Sequence, residues 1–137
     1  MQHQPPSASK VFNESMRYIN NAHEILKEKG EKENGSYHDK KYIRMACHTA
    51  YLGMLESLGT LMNLPKSKRM NILILRNYLS AENKKMLDEL NNAYGVLHLY
   101  GGYDGLGKQE ILSSGFNSAI KIINWVNNKL ASTRYKI

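Results

Sequence analysis

The 137-residue sequence predicts an all-α protein, an up-and-down four-helix bundle with an additional short helix. Residues 43–64 carry one formal charge after Arg44, at Glu56, so other helices must enclose this segment. Apolar residues also recur at intervals of three and four in several other segments. No segment alternates apolar and polar residues well enough to predict a strand.

The first two helices have clear ends. The first is predicted from about Ser9 to Gly30, because an apolar stripe repeats at helical spacing between them. A charged turn follows, and Asp39 is expected to cap the second helix. Pro65 ends that helix, since a residue before proline disfavours helical conformation. A row of small residues predicts where another helix approaches closely: Ala46, Ala50, Gly53, Ser57 and Thr60.

The second half of the chain predicts three more helices. Lys66 to Tyr78 forms a shorter one, and Ser80 is a plausible cap for the fourth helix. The last helix spans residues 112–130, after a glycine-rich turn at residues 101–107. We therefore expect a bundle domain at residues 9–131 between tails at residues 1–8 and 132–137.

The composition limits which classes of protein the chain can belong to. One cysteine, Cys47, excludes an intramolecular disulfide and is expected in the core. Residues 1–40 contain no apolar run resembling a signal peptide, which favours the cytoplasm, and the polar residues of the second helix argue against a membrane span. The net charge is +7, and most of the excess lies at Lys66, Lys68, Arg69 and Arg76.

The glycine turn has the spacing of a phosphate-binding P-loop from Gly102 to Lys108. Gln109 stands where the magnesium-binding hydroxyl residue belongs, and a helix precedes the turn where a P-loop needs a strand. A plain helix-to-helix turn is therefore favoured. No histidine, cysteine or carboxylate spacing predicts a metal, no cofactor is implied, and no complete catalytic set favours an enzyme.

Arg44 and His48 lie four residues apart, hence on one helical face, and could act on RNA with the histidine as acid or base. The favoured interpretation places Arg44 near the solvated helix end and His48 in a hydrogen bond within the bundle. A basic group could contact a phosphate backbone, although most such clusters are only solvated: Lys66, Lys68, Arg69 and Arg76.

Aromatic residues cluster around the glycine turn. Tyr94, Tyr100 and Tyr103, with His98, suit an interface or a small-ligand pocket. The same residues suit a bundle end at which each tyrosine hydroxyl reaches water. Both interpretations stay open from the sequence.

Two segments, YIRMACHTAYLGMLESL at residues 42–58 and AYGVLHLYGGYDG at residues 93–105, carry a resemblance. Over residues 10–130 the chain resembles a family of small uncharacterised helical proteins from Bacteroidetes-type bacteria, which is itself similar to HEPN-like bundles. That resemblance implies a bundle that is often dimeric, in a superfamily of RNases, toxins and nucleotidyltransferase partners. The HEPN catalytic pattern separates Arg and His by four to six residues on a late helix. Arg44 and His48 depart from it in spacing and position, so the RNase role is not carried over.

These observations predict a non-catalytic cytoplasmic interaction module that self-associates as a homodimer, with a further protein partner possible. The alternative is a HEPN-like RNA-binding protein or RNase related to toxin-antitoxin systems, acting through Arg44, His48 and the basic group. A third hypothesis is a small ligand held near Tyr94, His98, Tyr100 and Tyr103.

Overall fold

A computed structural model describes residues 7–135, with side chains through residue 132. Within that part of the chain lie five α-helices, a two-stranded hairpin, a 3-10 turn and a π-helix. The elements in order are α1 (Ala8–Lys29), β1 (Lys32–Glu33), β2 (Ser36–Tyr37), α2 (Lys40–Leu61), the 3-10 turn (Lys66–Lys68), α3 (Ile72–Glu82), α4 (Lys84–Ala93), the π-helix (Tyr94–Gly101) and α5 (Gln109–Tyr135). The all-α class is confirmed, whereas the up-and-down four-helix arrangement stays a prediction.

The caps of the first two helices follow the sequence closely. Ser7 caps α1 through its hydroxyl, which accepts from the Lys10 amide at 3.1 Å, and Gly30 ends the helix. Asp39 caps α2 as predicted, its carboxylate accepting from the Lys41 amide at 3.1 Å. Between the two helices the charged turn forms an antiparallel hairpin, which was not predicted from the sequence. Gly35 supplies the positive φ of 77° that its tight turn requires.

Two predicted boundaries in the second half are wrong. Ser80 does not cap the fourth helix, because it lies inside α3. Asn83 is the cap, since its extended backbone stops α3 and its side chain accepts from the Met86 amide at 3.1 Å. The segment predicted as one short helix from Lys66 begins as a 3-10 turn, and α3 starts only at Ile72. The last helix runs from Gln109 to Tyr135 and includes the predicted span 112–130.

The central position of α2 is confirmed. Helix α1 packs along α2 in the antiparallel direction, since Ser15 contacts Ser57 and Lys29 contacts Tyr42, and α5 packs against both helices and α4. Ser15 and Ser57 share a buried hydrogen bond of 2.6 Å between their hydroxyls, which satisfies both groups away from water. Gly53 lies against the backbone of Ser15 and the side chain of Tyr18. The small-residue row is therefore where a neighbouring helix approaches, as predicted.

Replacing Gly53 by alanine is expected to destabilise the protein by about 1–3 kcal/mol, because overpacking forces backbones apart. The new Cβ would lie 2.8 Å from both the Ser15 carbonyl oxygen and the Tyr18 Cβ. Urea unfolding followed by circular dichroism measures the change. Gly95→Ala is the matched control, since nothing outside the local backbone of its own helix lies within 4 Å of its Cβ position. Equal stability of the two variants would contradict the close approach.

Candidate functional site

Three rings join α2 to the π-helix. The Tyr94 and His98 rings stack with centroids 5.1 Å apart, and the His98 ring lies 5.2 Å from that of Tyr51. The Arg76 guanidinium lies 5.0 Å above the Tyr94 ring and donates to the Asn91 side chain at 2.8 Å. Tyr94 and His98, two of the predicted ligand residues, are thus brought together, and their rings pack against their own bundle.

The other two predicted ligand residues lie apart from that stack. The Tyr100 hydroxyl accepts a hydrogen bond from the Lys108 amide at 3.2 Å, so it fastens the glycine turn to the start of α5. Tyr103 has 75% of its surface exposed, and its carbonyl accepts from the Arg44 Nε at 3.1 Å. Of the four residues, Tyr103 is the one whose ring is largely free for a partner.

The glycine turn uses its amides internally. Tyr103 and Asp104 donate to the Leu99 carbonyl, and Lys108 donates to Tyr100. The Gln109 amide donates to the Gly35 carbonyl at 3.0 Å, and the Tyr37 amide donates back to the Gly107 carbonyl at 2.7 Å. A P-loop needs free amides that point at phosphate. This turn instead holds the hairpin to the start of α5, in agreement with the favoured interpretation.

His48 is exposed on α2, so the interpretation that it hydrogen-bonds within the bundle is wrong. Its position is one turn beyond Arg44, which is also exposed. The helix is apolar on nearly every side, and a sequence of that kind does not reveal which side remains uncovered.

The predicted basic group does not form one surface. Arg69 is 18% exposed, pairs with the Glu56 carboxylate at 3.1 Å and donates to the Leu64 carbonyl. Arg76 lies over Tyr94, as described above, whereas Lys66 and Lys68 are exposed. Arg44 and His48 lie toward the opposite end of α2. At about 1.5 Å per residue, Arg44 is about 26 Å from the end of α2 that precedes these lysines.

Helix α2 has an uncovered row that was not predicted from the sequence, which we call the outward strip: Lys41, Arg44, Met45, His48 and Leu52. Met45 is 46% exposed, and Leu52 is half-buried. The strip borders a groove of about 400 Å³ between α1 and α2, whose apolar floor includes Ile25 and Tyr42. The Lys29 and Lys41 ammonium groups lie 5.1 and 5.4 Å from the Tyr42 ring centroid.

Two reactive groups are made inert by their surroundings. Burial raises the pKa of the Cys47 thiol from 9.0 to about 12. Burial first, and then the nearby Tyr94, raise the pKa of Tyr51 to about 12, although Arg76 acts in the opposite direction. Both groups remain protonated at neutral pH, which suits a packing role and not that of a nucleophile or base.

Metal and membrane features are absent from the part of the chain that is described. No group of three or more histidine, cysteine, aspartate or glutamate side chains in residues 7–135 is arranged to hold a metal ion. None of the helices described is long and apolar enough to cross a membrane.

Comparisons with known proteins place the chain in a family. Residues 10–128 match the domain of unknown function DUF5618. A solved structure of a protein of unknown function from Dyadobacter fermentans is 40% identical, with a TM-score of 0.82 over 92% of this chain and 100% of that one. No curated protein matches. The chain therefore belongs to the DUF5618 family.

Proposed function

We propose that the protein is a non-catalytic helical interaction module that self-associates through the outward strip of α2. One observation carries the proposal: the helix that forms the centre of the bundle leaves Met45 46% exposed, between the exposed Arg44 and His48. A long apolar helix stabilises a bundle by burial, so an uncovered apolar side chain on it favours a partner.

The surroundings of the strip support an interface. Tyr103 lies beside Arg44 through their hydrogen bond and exposes its ring, and Leu99, one turn before it, is 43% exposed. Tyrosine, methionine and arginine are enriched where proteins bind one another. Because the Arg44 side chain is already held by the Tyr103 carbonyl, less side-chain entropy is lost when a partner binds.

The residues that could carry chemistry are used for packing. Cys47 and Tyr51 keep their protons at neutral pH, and His98 lies among the rings of Tyr51 and Tyr94. His48 has no carboxylate one turn away on its own helix, since residues 40–55 contain no acid. A general base needs such an orienting group beside it. This arrangement supports the non-catalytic part of the proposal.

The RNA-binding alternative has less support. Arg44 and His48 lie near one end of α2, Lys66 and Lys68 follow its other end, and Arg69 and Arg76 already have partners within the fold. Release of counterions strengthens RNA binding when several cations lie together along one phosphate backbone. The HEPN-like resemblance stays a hypothesis, because its catalytic spacing is not met by Arg44 and His48.

Light scattering after size exclusion, over a wide range of protein concentration, tests the proposal. The protein is expected to be dimeric, and Met45→Glu is expected to weaken the dimer about 100-fold, because an unpaired charge would be buried. Met70→Glu is the matched control, since Met70 is a comparably exposed methionine (52%) beyond the other end of α2, and this variant should remain dimeric. A monomer at every concentration would refute self-association.

A further inference from the structure

Charges are segregated on the outer face shared by α1 and α2. At the end nearest the hairpin, α1 exposes Glu24 and Glu28, which we call the acidic pair. The outward strip exposes Lys41, Arg44 and His48 at the same end. Among the ion pairs of residues 7–132, the acidic pair has no part, and Lys41 lies over the Tyr42 ring and not beside a carboxylate. One face thus carries two acids of α1 and basic residues of α2 that form no ion pair with one another, with Lys29 over Tyr42 in the groove between them.

The antiparallel packing of the two helices sets the heights of these charges. Ser15 bonds to Ser57 near one end, and Lys29 lies over Tyr42 near the other. Counting along the helices between these two contacts places Glu28 level with residue 43 and Glu24 level with residue 47. The acidic pair is therefore level with the basic part of the strip.

We propose that the dimer is isologous, with α1 of each copy lying along the outward strip of the other. A two-fold axis parallel to the helix axes places α1 of each copy opposite α2 of the other copy. It leaves every residue at the same level along the axis. Glu28 of one copy then meets Lys41 and Arg44 of the second, and Glu24 meets His48. The symmetry repeats both contacts. The acidic pair of each copy therefore lies against the basic residues of the other copy.

The apolar part of the face fits the same arrangement. Met45 lies between the basic residues and projects at the groove, whose floor contains Ile25 and Tyr42. In the dimer, a methionine from each copy fills the space beside the other copy's α1. Exposed ion pairs contribute little free energy each, so burial of this apolar group supplies affinity and the charges set the register. Stacking α2 on α2 would instead place like charges together.

A charge-swap experiment tests this pairing, which rests on the proposed self-association. One variant combines Glu24→Lys with Glu28→Lys, and the other combines Lys41→Glu with His48→Glu. Each alone brings like charges together twice and should weaken its dimer at least about tenfold. An equimolar mixture makes both contacts complementary again, so native mass spectrometry should show mainly the heterodimer.

Controls separate the pairing from general charge effects and from misfolding. Lys66→Glu with Lys68→Glu lowers the net charge on exposed residues beyond the other end of α2 and should leave the dimer unchanged. Recovery of the heterodimer also shows that both variants fold.

Three results would overturn the inference, and they differ from one another. If the original protein is dimeric and both charge variants dimerise equally well, the pairing is wrong while self-association stands. If only the α1 variant loses its dimer, α1 meets α1 instead. If the original protein is monomeric, the proposed function fails together with this inference.

Discussion

Replacing Gly101 by alanine is expected to lower the free energy of unfolding by about 1–3 kcal/mol, near the upper end of that range. Its Cβ would overlap the buried Cys47 sulfur and lie 3.1 Å from the Leu112 side chain. A fully buried sulfur has no space into which it can move, so the π-helix must shift away from α2. Chemical denaturation of the purified protein gives the value.

The cause can be isolated with a second substitution. Cys47→Ala removes the overlapping sulfur, so Gly101→Ala should cost less than half as much in that background as in the original protein. Part of the loss should persist, because the Cys47 Cβ also lies only 3.1 Å from the position of the new Cβ. Additive effects of the two substitutions would mean that the sulfur is not what excludes a side chain at this position.

Stability is expected to fall as the pH rises from about 9 to 12. The Cys47 thiol has a pKa of about 12 when folded and 9.0 ordinarily. The unfolded chain therefore binds fewer protons in this window and is favoured as the pH rises. At pH 11 ionisation of Cys47 in the unfolded chain lowers the free energy of unfolding by about 3 kcal/mol. Tyr51, raised from 10.0 to about 12, adds about 1 kcal/mol in the same direction.

Urea titrations at pH 8, 9, 10 and 11 measure this loss. All lysines and tyrosines also titrate there, so the informative quantity is the difference between variants. Between pH 8 and 11 the free energy of unfolding of Cys47→Ala should fall by about 3 kcal/mol less than that of the original protein, whatever the stability of the variant at neutral pH. For Tyr51→Phe this difference should be smaller. Parallel curves for Cys47→Ala and the original protein would show that the thiol ionises equally easily in both states.

Local signals in the sequence were sufficient for most helix ends. Asp39 and Gly30 act as expected because a cap depends on one side chain or one backbone turn. Ser80 was misassigned because Asn83, three residues later, is an equally good cap, and the choice between them depends on how far α3 packs. The π-helix could not be predicted, since its hydrogen-bond pattern is uncommon and accompanies the packing of Tyr94 and His98 against α2.

The candidate site was predicted less well than the fold. Arg69 looked like a free cation, but its carboxylate partner is Glu56, which lies 13 residues earlier on another element. Tyr94 and His98 looked available and are packed together. Met45, which carries the proposed interface, was not singled out because α2 as a whole is strongly apolar, although its neighbours on the helix surface include the polar residues Lys41, Arg44 and His48.

The sequence by itself determined the all-α class, the central place of α2, the row of small residues that receives α1, and the burial of Cys47. These depend on periodicity and composition, which act within one helix. Only the tertiary structure decided which side of α2 stays uncovered and which aromatic and basic residues are used inside the fold. A periodic pattern assigns a residue to a face of its helix, whereas the neighbour that covers that face comes from distant parts of the chain.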